Sequence, residues 1–121
     1  MYLGSDPSNV DYGAIFAGRR QILDRAAERF AANKPADFDD FIQANEDWLI
    51  PYCEFMTVKE ECGLKAFWEW PAELRTRGEA SAKVCADHPE RMLYHQMTQY
   101  FFDHQWSRLK AYANERDILI I

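Results

Sequence analysis

The most constraining feature of this chain is a long run of helical period between Pro89 and about Asn114. Proline suits the first turn of a helix, and apolar residues then recur at three- and four-residue steps. These residues are Leu93, Met97, Tyr100, Phe101, Leu109 and Tyr112. Phe102 and Trp106 widen the stripe, so we expect this helix to be contacted on more than one side, with Trp106 in the core. On that interpretation, Trp106→Ala costs about 3–5 kcal/mol.

A second helical period predicts a helix from about Asp11 to Asn33. The Asp11 carboxylate can accept the free amide hydrogens of the first turn. Pro35 ends the helix, because proline disfavours helical geometry in the residue before it. The predicted apolar stripe contains Ile15, Phe16, Ile22, Leu23, Ala26, Ala27 and Phe30.

Shorter helices are predicted in the middle of the chain. One follows Asp37 and stops before Pro51, and the next begins at Pro51 and ends at Gly63. An aromatic turn follows at 67–71, and residues 79–87 have a weaker helical pattern.

Glycine and proline are scarce, with five of each in 121 residues, which argues against a sheet with many tight turns. We therefore predict an all-α fold of five or six helices, the longest within 89–114. One short terminal strand is the exception, because Ile118–Ile121 is a four-residue apolar run rich in β-branched side chains. A buried strand needs ladder partners, so we expect the chain to be a piece of a longer protein.

Charge and cysteine usage restrict the partners and the compartment. Acidic residues outnumber basic ones by 20 to 14, and the net charge of −6 disfavours nucleic acid and anionic membranes as partners. No apolar run approaches the ~18 residues of a membrane span, and the first residues do not form a signal peptide. Cys53, Cys62 and Cys85 form no C-x-x-C pair, so we expect free thiols and a cytoplasmic protein.

Few residues suggest chemistry by their spacing alone. The three histidines have no metal-ligand spacing, so neither a metal site nor a cofactor is predicted. Adjacent carboxylates such as Glu60 and Glu61 are interpreted as solvated helix faces. Aromatic rings that can stack on the apolar faces of sugars are the remaining candidates, and the alternative for each is a place in the core. These candidates are Trp48, Tyr52, Trp68 and Trp70.

Four segments in order carry a more specific pattern. They are Val10–Ile15, then Trp48-Leu49-x-x-Tyr52 with Phe55, then Trp70-Pro71, and finally Tyr94-His95 through Gln105-Trp106 to the terminal apolar run. Together they resemble the 4-alpha-glucanotransferases, the amylomaltase or disproportionating-enzyme family (glycoside hydrolase family 77). The chain departs from the family pattern at Cys53-Glu54, where Ala-Leu is usual.

The resemblance implies a (β/α)8-barrel enzyme that transfers α-1,4-glucan segments between maltooligosaccharides with retention. Residues 1–88 are then an inserted helical subdomain, and 89–121 are a barrel helix and the start of the third strand. The family's catalytic carboxylates lie on later strands, so no catalytic residue is assigned and the isolated chain is expected to be inactive. The implied partners are maltooligosaccharides or α-1,4-glucan and the rest of the same polypeptide.

Tyr52 is the first candidate for substrate contact, and Trp48 shares its helix face if Pro51 leaves the helix unbroken. A different class of function also fits the residues. The chain can be a free-standing helical protein-interaction module that buries its aromatic residues against a partner. Such a module would close with a polar cap and behave as a compact soluble species on its own.

Overall fold

The computed structural model describes residues 8–120. Within them the chain forms four α-helices, and two 3₁₀ turns, Phe67–Glu69 and Ala72–Leu74, lie between the second and third. The helices are α1 (Tyr12–Ala32), α2 (Phe38–Glu61), α3 (Glu79–Asp87) and α4 (Pro89–Asn114). No strand is present in these residues, and the all-α prediction is confirmed, with the longest helix at the predicted place.

The chain divides into two compact units, Met1–Pro35 and Ala36–Ile121. The first unit contains α1, whose ends agree with the prediction. Asp11 Oδ1 accepts a hydrogen bond from the Ala14 amide at 2.9 Å, and Asn33 caps the other end. The predicted boundary between residues 88 and 89 concerns the subdomains of a longer enzyme and stays a prediction.

The second unit is built around α2, which contacts both α3 and α4. Its core includes Leu49 and Cys53 of α2, Met97 of α4, and Trp70 of the aromatic turn, all nearly inaccessible to solvent. Burial of large apolar side chains is the main stabilising contribution in a unit of this size. This core holds α2 and α4 side by side.

The prediction that Pro51 separates two helices is wrong, because α2 continues through it. Proline removes only the hydrogen bond to the Asp47 carbonyl and bends a helix without always ending it. Leu49 and Cys53 on either side of the proline are both fully buried. Their packing keeps the two halves of α2 in one helix.

Helices α2 and α4 run antiparallel, since the C-terminal Glu60 contacts Arg91 while Asp37, at the start of α2, contacts His104. With 26 residues, α4 is about 39 Å long, and its last turns project beyond the start of α2. Trp106 lies in this projecting part and is 41% exposed. The expectation that Trp106 lies in the core is therefore wrong. The stability cost of Trp106→Ala rested on that expectation and stays untested.

The terminal apolar run has no regular structure over residues 118–120, and Ile121 lies outside the described residues. A strand requires ladder partners, and the described part of the chain supplies none. Separately, none of the helices over 8–120 combines the length and the apolar character that crossing a membrane requires.

Candidate functional site

Trp48 and Tyr52 lie four residues apart on the continuous α2 helix and therefore share one of its faces. Trp48 is 48% exposed, and its indole Nε1 donates a hydrogen bond to Asn45 Oδ1 at 3.0 Å. Tyr52 is half-buried, and its ring meets the His95 ring edge-on at a centroid distance of 6.3 Å. The sequence-predicted pair is thus brought together on a partly open surface.

The other two aromatic candidates occupy different environments. Trp68 projects into solvent. Trp70 is buried, and its Nε1 donates to the Lys65 carbonyl oxygen at 3.1 Å. Trp70 is therefore closed to a stacking sugar, because only 2% of the residue is exposed. The rings of Phe55 and Phe67 both contact it.

A charged cluster lies next to Tyr52, between α2 and α4. Arg91 donates two hydrogen bonds to the Glu60 carboxylate, at 2.6 and 2.9 Å. His95 Nε2 lies 3.3 Å from Glu60 Oε1, and the Arg91 guanidinium stacks over the Tyr94 ring at 4.1 Å. Glu60 and Arg91 thus link the C-terminal end of α2 to the beginning of α4.

Sequence reasoning missed this cluster. Glu60 was predicted on a solvated face, yet its side chain is only 13% exposed. Glu60 and Arg91 are 31 residues apart, so no local spacing could pair them. The sequence signal for this cluster was the run of charged residues at the C-terminal end of α2. The apolar face of α4 was the surface against which such residues could pack.

A cavity of about 220 Å³ opens between the middle of α2 and the segment 67–81. Phe55, Phe67 and Trp70 line it, and the Glu54–Arg77 ion pair, 2.6 Å between Oε2 and Nε, lies at its edge. The two charged groups of this pair thus neutralise each other. The cavity is therefore an apolar pocket, and its side chains are not arranged for acid–base chemistry.

At the other end of α2, Asp37 accepts a hydrogen bond from the Tyr100 hydroxyl at 2.7 Å, and its second oxygen lies 3.3 Å from His104 Nε2. The hydrogen bond from Tyr100 is the main cause that lowers the pKa of Asp37. Burial is the main cause that raises the pKa of Tyr100, and the hydrogen bond to Asp37 raises it further. The group joins the start of α2 to α4.

The thiols are not placed for nucleophilic chemistry. Burial raises the pKa of Cys53 to about 12, so that its thiol stays protonated at neutral pH. Burial likewise raises the pKa of Cys62 and of Cys85. Over the described ranges, no group of three or more histidine, cysteine or carboxylate side chains is suited to hold a metal ion.

Comparison with known proteins gives one consistent result. The profile of the family described as 4-alpha-glucanotransferase matches residues 2–121. The 4-alpha-glucanotransferase of Streptococcus pneumoniae is 40% identical over 121 aligned positions, covering 98% of this chain and 24% of that protein. Those of Synechocystis and Thermus thermophilus are 34% and 31% identical, over 92% and 98% of this chain and 23% and 25% of their own length. The chain thus spans about a quarter of the length of the curated relatives it matches.

Proposed function

The chain belongs to the 4-alpha-glucanotransferase family, and we propose that it is the helical part of an enzyme that transfers α-1,4-glucan segments between maltooligosaccharides with retention. The observation that carries this proposal is the family match, which extends from residue 2 to residue 121 through both compact units. A chance similarity in the pattern of one helix could not explain a match of this length.

In this proposal the segment contributes structure and substrate contact, and other parts of the enzyme contribute the catalytic carboxylates. Retaining glycosyl transfer uses two carboxyl groups about 5–5.5 Å apart, one as nucleophile and one as acid and base. The half-buried carboxylates of α2, Glu54 and Glu60, are each held by an arginine instead. This pairing supports a positioning role for them.

We assign residues 1–88 to an inserted subdomain beside the glucan cleft, and 89–121 to a barrel helix that leads into the third strand. The surface of Trp48 and Tyr52 is the proposed point of glucan contact. An exposed indole offers a flat face for a sugar ring, and a phenol adds a hydroxyl that can donate a hydrogen bond. Within residues 8–120 the Tyr52 hydroxyl has no hydrogen-bond partner, so it is available to a ligand.

A chimera tests the proposal directly. The matching segment of the Streptococcus pneumoniae relative is replaced by residues 1–121 of this chain, and the purified chimera is incubated with maltotriose. We expect glucose and longer maltooligosaccharides as products, while the isolated 121-residue chain yields none. A soluble, folded chimera without transfer activity would refute the proposed function.

The sugar-contact residues are tested in the same chimera. Trp48→Ala and Tyr52→Phe are expected to raise the KM for long maltooligosaccharides severalfold and to change kcat little, because the contact lies away from the reacting bond. The matched control is Tyr112→Phe, which removes the hydroxyl of an exposed tyrosine on α4. If all three variants behave like the unsubstituted chimera, Trp48 and Tyr52 do not contact glucan.

A further inference from the structure

Asn45 makes two hydrogen bonds that connect the Trp48 indole to the backbone of α2. Its Oδ1 accepts from Trp48 Nε1 at 3.0 Å, and its Nδ2 donates to the Phe41 carbonyl oxygen at 2.9 Å. Both ends of the carboxamide are used, because an amide has one acceptor oxygen and one donor nitrogen. Asn45 is half-buried, whereas Trp48 is 48% exposed. The amide therefore lies between a backbone carbonyl and a ring that is open to solvent.

The backbone end of this connection is held by the packing of α2 on α4. Phe41 is half-buried, and its ring meets the Tyr100 ring edge-on at a centroid distance of 5.5 Å. Tyr100 is itself buried, and its hydroxyl donates to Asp37 at the start of α2. The carbonyl oxygen that orients the Asn45 amide thus belongs to a residue that is fixed by a contact between two helices.

The bond to Asn45 determines what the Trp48 indole can offer to a ligand. An indole has a single N–H group, and here that group already donates to Asn45. The flat face of the ring remains for stacking on a sugar. Tyr52, one turn further along the same helix face, carries a hydroxyl that can donate a hydrogen bond. Stacking and hydrogen bonding are therefore divided between the two aromatic residues.

We propose that Asn45 is a positioning residue of the glucan surface, which holds the Trp48 indole in the orientation that stacks on the apolar face of a glucose unit. The inference rests on the proposed function, which brings α-1,4-glucan to this surface. A hydrogen bond that restricts the ring before the sugar arrives lowers the ordering cost of binding. Ordering one side chain in advance changes a binding constant by about 2- to 10-fold. Asn45 acts through Trp48 and needs no contact of its own with the sugar.

The alternative is that the bond serves only the stability of α2. Hydrogen-bonded side chains three residues apart stabilise a helix by a small amount, whether or not a ligand binds. That role requires the bond but makes no use of the exposed ring face. The two explanations therefore differ in their effect on glucan binding, and the test measures binding and stability together.

Three substitutions separate these explanations. Asn45→Leu keeps the approximate size of the side chain and removes both hydrogen bonds. Asn45→Asp is the conservative variant, because it retains an oxygen that accepts from the Trp48 indole. Gln43→Leu is the matched control, since it removes an exposed amide two residues away, on a different face of α2.

Maltoheptaose is titrated into the 121-residue chain, and the Nε1–H resonance of Trp48 is followed by NMR. We expect Asn45→Leu to shift this resonance in the absence of sugar and to raise the dissociation constant for maltoheptaose at least about threefold. Asn45→Asp and Gln43→Leu should leave the dissociation constant within about 1.5-fold of that of the unsubstituted chain. The melting temperature of each variant is measured alongside.

The chimera with the Streptococcus pneumoniae relative adds a kinetic measurement. Asn45→Leu should raise the KM for maltoheptaose at least about threefold and leave kcat within about twofold, because the contact lies away from the reacting bond. Added to Trp48→Ala, the same substitution should have no further effect on KM, because Asn45 acts through the Trp48 ring.

The proposal is overturned if Asn45→Leu binds maltoheptaose as tightly as Gln43→Leu does, or if Asn45→Asp weakens binding as much as Asn45→Leu. A lower melting temperature with unchanged binding would also overturn it and assign the bond to the stability of α2. So would a Trp48 resonance that maltoheptaose does not move in the unsubstituted chain. A chimera that folds but transfers no glucan refutes the proposed function alone, because the titration of the chain still judges Asn45. An active chimera whose KM is unaffected by Asn45→Leu refutes the positioning role alone.

Discussion

Arg91 of α4 donates two hydrogen bonds to Glu60 of α2, from Nε to Oε2 at 2.6 Å and from Nη2 to Oε1 at 2.9 Å. Their side chains are only 19% and 13% exposed. Two parallel charge-assisted bonds fix the orientation of both groups as well as their separation. This pair therefore sets how the C-terminal end of α2 lies against the beginning of α4.

The first prediction concerns this pair. Arg91→Met leaves the Glu60 carboxylate largely buried without its cation, so we expect a loss of about 3–5 kcal/mol in the free energy of unfolding, measured by urea denaturation. Adding Glu60→Leu to Arg91→Met should recover most of that loss. The control is Arg77→Met, because Arg77 makes an equally short contact with Glu54 but is 64% exposed, and this loss should stay below about 1 kcal/mol. Equal losses for the two arginines would contradict the prediction.

A second prediction concerns the pH dependence of the Asp37–Tyr100 bond. The bond lowers the pKa of Asp37 below its usual 3.8, and a depressed pKa stabilises the fold above that pH and ceases to do so as the pH falls through the folded value. The pKa of Tyr100 is raised from 10, so its contribution is present below pH 10 and is lost as the pH rises further.

Tyr100→Phe should accordingly lower the urea midpoint by a constant amount between about pH 5 and pH 9, with the difference from the unsubstituted chain shrinking toward both extremes. Tyr52→Phe is the control, since its hydroxyl is without a hydrogen bond over residues 8–120, and its midpoint should follow the unsubstituted chain throughout. A Tyr100→Phe difference that is unchanged at pH 3 would show that Asp37 is not the partner that matters.

Features of this fold that depend on neighbouring residues could be predicted from the sequence, whereas features that depend on distant residues could not. The Asp11 cap was predictable, because the carboxylate and the amide it accepts from are three residues apart. The continuity of α2 through Pro51 was not, since it depends on the burial of Leu49 and Cys53 by other elements. Periodicity revealed the apolar face of α4 but carried no information about how far its neighbour extends, and so it placed Trp106 wrongly.

In the candidate site, too, the local relationship was predictable from the sequence and the long-range one was not. The shared face of Trp48 and Tyr52 follows from their four-residue spacing on one helix. The sequence did not decide whether Pro51 ends the helix between them. The charged cluster of Glu60 and Arg91 joins residues 31 positions apart, and the burial that gives it its strength arises only when α2 and α4 pack. Pairings between distant helices need the fold before they can be recognised.

A third prediction follows from the contrast between two leucines. Leu49 is fully buried in the second unit, whereas Leu109 on α4 is exposed. In the isolated chain we expect Leu49→Ala to cost about 2–5 kcal/mol of unfolding free energy, through lost burial and the cavity left behind. Leu109→Ala, the same chemical change on a helix, should cost less than about 1 kcal/mol. Chemical denaturation of both variants measures this, and a reversed order would mean that the core lies elsewhere.

The last prediction concerns thiol reactivity. The pKa of Cys53 is raised from 9 to about 12 because the side chain is desolvated, so its thiolate fraction near pH 8 is about a thousandfold smaller than that of an ordinary cysteine. Cys62, at the C-terminal end of α2, is only half-buried and serves as the internal control. Under native conditions, iodoacetamide should label Cys62 at least about tenfold faster than Cys53. Mass spectrometry of the peptides measures both rates, and in 8 M urea the two should become equal. Equally fast native labelling would show that the core around Leu49 and Cys53 opens readily in solution.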